Sequence, residues 1–183
     1  YRDIYWAFPD YRERVGTAVA TAMGCVYRYD LAWYSRYIDR LYLPSMRMGA
    51  HVPGFPEERM APLPPGCEIV DEAPSSHADG ELNLLYIGGL GGHYRLQECL
   101  RAVLDVPGTS LTICTRPDQW EAAGDQYADL VDAAGGRIEV VHRSGEELSA
   151  LYERADLCVL FVEPDPYREF ASPVKLYEYL GRG

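Results

Sequence analysis

Lys175 and Glu178 are the pair in this sequence best placed to do chemistry. They stand three apart in Ser172-Pro173-Val174-Lys175-Leu176-Tyr177-Glu178-Tyr179-Leu180-Gly181, which puts them on one face of a helix. Ser172 suits the N-cap, Pro173 the first helical position and Gly181 the stop. Val174, Leu176, Tyr177 and Leu180 are expected to pack inward. Lys175 is badly placed for a plain surface helix. A cation in the first turn opposes the helix dipole, and Lys before Glu is the weaker order for an ion pair. A phosphate group docked at that helix end would account for it. Glu178, one turn on, could then accept hydrogen bonds from two sugar hydroxyls. The plain alternative is an amphipathic helix with a surface Lys–Glu pair.

The pattern FxSPxKLYEYLGxG, residues 170–183, resembles the donor-site signature of GT-B glycosyltransferases, in particular those of glycosyltransferase family 4. The resemblance implies that this helix binds a nucleotide-sugar. Glu178 would hold the ribose hydroxyls, and Ser172 to Lys175 would lie beside the diphosphate. The family's fuller pattern places a first glutamate where this chain has Phe170, and Glu169 sits one residue earlier. Glu169 is therefore a candidate for the donor sugar that is out of register with the family.

Composition narrows the classes. The chain has 183 residues, is 48% hydrophobic and 25% charged, and so reads as ordinary globular protein. A net charge of −11 argues against a nucleic-acid surface. An anionic ligand would need basic residues gathered locally. Five scattered cysteines form no CxxC pair. Cys99, Cys114 and Cys158 fall in apolar periodic segments, as buried free thiols do, and a reducing cytosol fits. The histidines show no metal-ligand spacing, and there is no DxD pair. No apolar run reaches transmembrane length. The chain opens at Tyr1 and stops after a helix where a strand would come next, so it reads as a piece of a longer protein. On that expectation the piece alone binds donor weakly and transfers no sugar.

Elements must position these residues. Residues 1–60 are aromatic and mostly helical. One helix is expected from Asp10 to Met23. A second, capped by Asp30, would carry a broad apolar face of Trp33, Tyr34, Tyr37, Ile38 and Leu41. A short strand, Leu41–Leu43, is closed by Pro44. Residues 52–81 are proline-rich and read as a linker or long connection. From Leu82 the pattern alternates: strand at 82–87, glycine turn at Gly88–Gly92, helix from Leu96, strand at 111–114, helical stretch from Pro117, strand at 138–141. A capping box at Ser144–Glu147 then opens a helix, and a strand at 156–162 precedes the Lys175 helix. Such repeats imply a doubly wound parallel sheet with ligands at the strand C-termini. The glycine turn fails the dinucleotide fingerprint, since the third glycine would fall at Tyr94. It still allows close backbone approach to a ligand, and His93 and Arg95 stand where the family has a basic residue. Arg143, directly after the third strand, is placed to reach a nucleotide.

The expected architecture is thus α/β: a Rossmann-like doubly wound sheet over 82–183, after an acceptor-side segment at 1–60 and a linker at 61–81. The expected activity is that of a metal-independent, hexosyltransferase-like glycosyltransferase of the GT-B kind. It would move a sugar from a nucleotide-diphosphate sugar to an acceptor hydroxyl with retention. That donor is a substrate, and no further cofactor is expected. The acceptor class, whether glycan, lipid or small molecule, is open. So is peripheral attachment to the inner membrane face of the cytoplasm. Candidate donor-binding residues are Lys175, Glu178, Ser172, Gly88, Gly89, Arg143 and Glu169. No residue is singled out as catalytic or as a metal ligand. The rivals are a catalytically silent nucleotide-sugar-binding module and an α/β protein-interaction subunit.

Overall fold

The computed structural model describes residues 4–70, 80–91, 94–162, 168–170 and 172–182. Two compact units divide the chain. One combines Tyr1–Gly66 with Pro164–Val174, and the other combines Cys67–Glu163 with Lys175–Gly183. Among the described residues no helix is long and apolar enough to cross a membrane.

In the first unit, helices α1 (Pro9–Val15) and α2 (Thr17–Tyr37) precede strand β1 (Leu41–Leu43), which pairs in parallel with β2 (Met60–Pro62). The single helix expected over 10–23 is broken at Gly16, whose φ of 83° suits glycine and ends α1. The expected second helix is not separate. Asp30 lies inside α2, which runs 21 residues without a break. Its expected apolar face is also corrected. Only Ala20 and Leu31 of α2 are buried, whereas Val26, Tyr29, Trp33 and Tyr37 are exposed. The proline-rich stretch is not all connection, since β2 lies within it.

The core of this unit gathers Ile4, Trp6, Leu31, Leu41, Leu43, Met48, Phe55 and Met60. It is closed by a residue from far along the chain. Phe170 is 5% exposed and packs beside Phe8 and His51, with ring centroids 5.5 and 4.9 Å away. Two hydroxyls fasten the same segment: Ser45 Oγ donates to the Phe170 carbonyl (2.6 Å) and Ser172 Oγ to the Pro44 carbonyl (3.0 Å).

The second unit is a four-stranded parallel sheet of β3 (Leu82–Ile87), β4 (Thr109–Cys114), β5 (Ile138–Val141) and β6 (Leu157–Cys158), in the order β5-β4-β3-β6. Helices α3 (Leu96–Asp105) and α5 (Ala128–Ala133) cover a core of Tyr86, Leu96, Leu100, Val103, Leu111, Ile113 and Tyr127. Another core joins Leu85, Ile87 and Cys114 to Leu148, Leu151 and Tyr152 around α6 (Leu148–Glu153), and to Tyr179 of α7 (Val174–Leu180). Alternate residues of β3 thus serve two cores, as a doubly wound sheet requires. The helical stretch from Pro117 is split into α4 (Pro117–Ala123) and α5 by a 3₁₀ turn at Gly124–Gln126. Ser144 makes no side-chain cap bond, so the expected capping box does not form.

Strand β6 is shorter than the expected 156–162, for a visible reason. Pairing along β3 continues only as far as Val159, whose N–H donates to the Leu85 carbonyl. At the next outward position the Tyr179 hydroxyl takes both groups of Ile87, accepting from its N–H (3.0 Å) and meeting its carbonyl at 3.4 Å. A side chain from α7 replaces the continuing strand. The burial of α7 follows. Tyr179 faces inward, while Val174, Leu176 and Leu180, expected inside, are exposed.

Beyond α7 the chain 67–70 closes on the helix end. The Val70 N–H donates to the Gly181 carbonyl (2.9 Å), and a Cβ on Gly181 would stand 2.3 Å from the Glu68 carbonyl oxygen. Backbone cannot rotate away as a side chain can. Gly181→Ala should therefore destabilise the second unit by about 1–3 kcal/mol, the usual cost of overpacking. Urea denaturation measures it; an unchanged midpoint would show that 67–70 does not close on α7.

Candidate functional site: a cleft at the strand C-termini

The sheet order reverses at β3, because β4 and β5 lie to one side and β6 to the other. Open α/β sheets bind ligands at such a point, beyond the carboxyl ends of the strands. A cleft of about 580 Å³ lies there, wholly within the second unit. Its walls include Gly88, Gly89 and Gly91 after β3, Thr115 and Arg116 after β4, Arg143 and Ser144 after β5, and Lys175 of α7.

The glycine turn is held from behind. Tyr86 Oη donates to the Gly89 carbonyl (2.6 Å), and Tyr127 Oη donates to the Leu90 carbonyl (3.1 Å). The Leu90 N–H donates to Gln119 Oε1 (3.2 Å), and the Gly88 N–H to the Cys114 carbonyl (3.1 Å). A Cβ on Gly88 would meet Tyr86 Oη at 2.8 Å, and one on Gly89 would meet Gln119 Oε1 at 2.8 Å. Any larger residue at either position would have to displace the end of a supporting side chain.

Three cations line this cleft in an acidic chain. Arg116 stands 3.5 Å from Asp118 and Arg143 3.3 Å from Glu147, both pairs well exposed. Lys175 Nζ donates to Glu178, a half-buried pair. Surface pairs of this kind are worth little, so these cations remain available to an anion. One neutral group is conspicuous. Thr115 is 5% exposed, and its Oγ1 is the buried side-chain polar atom without a hydrogen-bond partner among the described residues. A buried hydroxyl left unpaired costs about 1–3 kcal/mol. Its backbone is committed: the N–H donates to Val141, and His142 Nδ1 lies 2.8 Å from its carbonyl. The carbonyl can only accept, so that ring nitrogen carries the proton.

The expected site residues divide. Gly88, Gly89, Arg143 and Lys175 meet at the cleft. Glu178 is tied to Lys175 instead of presenting two free oxygens. Ser172 and Glu169 belong to the first unit, where the Ser172 hydroxyl is spent on Pro44 and Glu169 is exposed beside the buried Phe170. Arg95 is absent from the cleft wall and pairs with Glu98. Gly92 and His93 lie outside the described residues. Sequence reasoning passed over Thr115, Arg116 and Gln119. The signal for the first two was their position directly after β4, the same rule that picked out Arg143.

With this geometry in view, the chain can be set beside known proteins. No family model and no curated protein matches the sequence. Solved structures do match, among them that of the lipopolysaccharide outer core galactosyltransferase WaaB in its apo form. The TM-score is 0.52 at 16% identity, over 69% of this chain and 38% of the galactosyltransferase. The likeness is one of fold. It agrees with the parallel α/β architecture that the residue pattern implied.

Burial raises the pKa of three phenols around the sheet end. Tyr86 and Tyr179 are held well above the usual tyrosine range, and Tyr152 is pushed up to about 12, chiefly by burial and further by the Glu178 charge. An unfolded tyrosine ionises near pH 10. Above that pH the unfolded chain releases protons that the folded one retains, so stability is intact below about pH 10 and falls as the pH rises toward 12. Stability measured by urea titration should fall across this window, and less steeply in Tyr152→Phe. A slope that does not change would mean Tyr152 is not buried as described.

Proposed function

We propose that the cleft binds the diphosphate of a nucleotide-sugar, and that the chain is the donor-side part of a GT-B glycosyltransferase. The observation that carries the reading is the cleft wall. It combines Arg116, Arg143 and Lys175 with the unpaired buried hydroxyl of Thr115, in a chain of net charge −11. The cations supply countercharge for a diphosphate. The 580 Å³ volume is in the usual range for small-molecule sites. The galactosyltransferase fold likeness and the KLYEYLG signature point the same way. The matched part spans 38% of that enzyme, so transfer to an acceptor is proposed for the whole protein.

In this mechanism the anomeric carbon–oxygen bond breaks, the electron pair leaves with the diphosphate, and the acceptor oxygen takes its place on the sugar while its proton passes to the departing diphosphate. Side chains fixed where negative charge develops lower that barrier. Lys175 and the two arginines are in position to do so. Retention of anomeric configuration follows the family resemblance. Five cysteines without a disulfide among them suit a reducing compartment. A second reading, nucleotide-sugar binding without transfer, is favoured by Phe170. It stands where the family has a glutamate, and its ring is sunk in the core of the first unit. Binding without turnover in the full-length protein would select this second reading.

Thermal shift with UDP-, GDP- and ADP-sugars tests the site, because a ligand bound only by the folded state raises its stability. Lys175→Ala should weaken nucleotide-diphosphate binding by about 1.5–3 kcal/mol, the range for hydrogen bonds to charged groups, and leave nucleoside binding nearly untouched. Because Glu178 shares the cation, the loss should fall near the lower figure. Equal loss for both ligands would remove the diphosphate role.

Glu178→Gln should weaken donor binding more than Glu169→Gln, since Glu178 both matches the ribose position and orients Lys175. Calorimetry on the two variants decides; a larger effect at Glu169 would shift the register by one residue.

A further inference from the structure

The first unit contains a second cationic cavity. It has a volume of about 380 Å³ and is lined by Arg12 of α1, by Thr21, Gly24, Cys25 and Arg28 of α2, and by His51, with Trp6 and small residues between them. Every lining residue lies within Tyr1–Gly66, so this cavity is separate from the cleft described above. Among the described residues no carboxylate lines it. Residues 1–66 carry eight arginines against seven carboxylates, in a chain whose remainder is strongly acidic.

Two features bring the arginines together and keep the space open. Gly16, at φ 83°, separates α1 from α2, so that Arg12, four residues before it, and Arg28, twelve after it, face one cavity. Like charges gathered without a counter-ion repel. Among the described residues neither Arg12 nor Arg28 takes part in an ion pair. Gly24 stands in the interior of α2, where glycine costs about 1 kcal/mol against alanine. No packing contact demands it, since a Cβ there would meet nothing within 4 Å. What the missing side chain does is leave the cavity floor empty. Thr21 Oγ1 already donates to the Thr17 carbonyl and offers a ligand no proton.

We propose that this cavity binds a phosphate-bearing ligand, its phosphate held between Arg12 and Arg28 and the rest of the molecule lying over Gly24 against Trp6. Guanidinium groups match phosphate oxygens in paired hydrogen bonds. The proposal does not depend on the nucleotide-sugar reading. The phosphate has two possible sources, a soluble phosphate ester and a lipid headgroup, which the test separates.

Cys25 supplies the probe, being an exposed free thiol in the wall, and Cys67, exposed outside the cavity, is the internal control. Alkylation by iodoacetamide, read peptide by peptide, should slow several-fold at Cys25 and not at Cys67 in millimolar glycerol 3-phosphate. Protection only by phosphatidylcholine vesicles containing phosphatidic acid, and not by phosphatidylcholine alone, identifies the lipid source. Arg12→Gln with Arg28→Gln should abolish protection. Gly24→Leu should also abolish it while keeping or raising thermal stability, because leucine favours the helix and fills the floor. Lys175→Ala should leave Cys25 protection intact, which keeps this test apart from that of the cleft. No protection by any probe, or undiminished protection in the two folded variants, overturns the proposal.

Discussion

The Tyr179 hydroxyl bonded to the backbone of Ile87 is the contact on which the second unit's chemistry rests. It sits where a longer β6 would have paired, and Tyr179 as a whole is 8% exposed. It fixes α7 to the end of β3, and therefore fixes Lys175 relative to the glycine turn that begins one residue after Ile87. A buried N–H without this partner would cost about 1–3 kcal/mol, so strand end and helix are stabilised together. Behind the turn, Tyr86, Tyr127 and Gln119 hold Gly89 and Leu90 in the same manner. The site is a set of backbone groups immobilised by phenols and one amide, with the charged residues placed around them.

Charge is distributed in the opposite sense to packing. The supporting side chains are neutral, large and buried, whereas Arg116 and Arg143 are exposed and paired only with exposed carboxylates. Such an arrangement keeps the cations hydrated and avoids the penalty of burying charge. Thr115 is the exception, a buried polar atom set among fixed neighbours.

Much of this was legible in the sequence where one periodicity dominates. Leu82–Ile87, apolar but for Asn83, forms a strand with those limits, and the apolar face of α3 is buried as its spacing demands. The rest required contacts distant in sequence. The face of α7 could not be read from its own residues, because Leu176 and Leu180 are as apolar as Tyr179. Burial went to the residue whose hydroxyl found Ile87, 92 positions away. The length of β6 was set by the same event. In the first unit, Asp30 looked like a cap, but the helix-forming residues on both sides carried α2 through it. The aromatic row of α2 has helical spacing and is nonetheless exposed, since periodicity gives a face and not its partner. Thr115 was passed over although it directly follows a strand, because a single threonine there gains weight only once its burial is known.

The return of residues 164–174 to the first unit has a consequence for synthesis. Phe8, Ser45 and His51 leave the ribosome early, yet the ring and carbonyl they pack against belong to Phe170. At roughly 5–20 residues per second, the intervening stretch of about 100 residues beyond Gly66 takes on the order of 5–20 s to translate. Throughout that interval the earlier-made half holds an unfilled gap where the late phenylalanine will sit. The later-made half already has β3, β4 and β5 with which to assemble. The core of the first unit is thus completed only after most of the second unit's sheet has been synthesised.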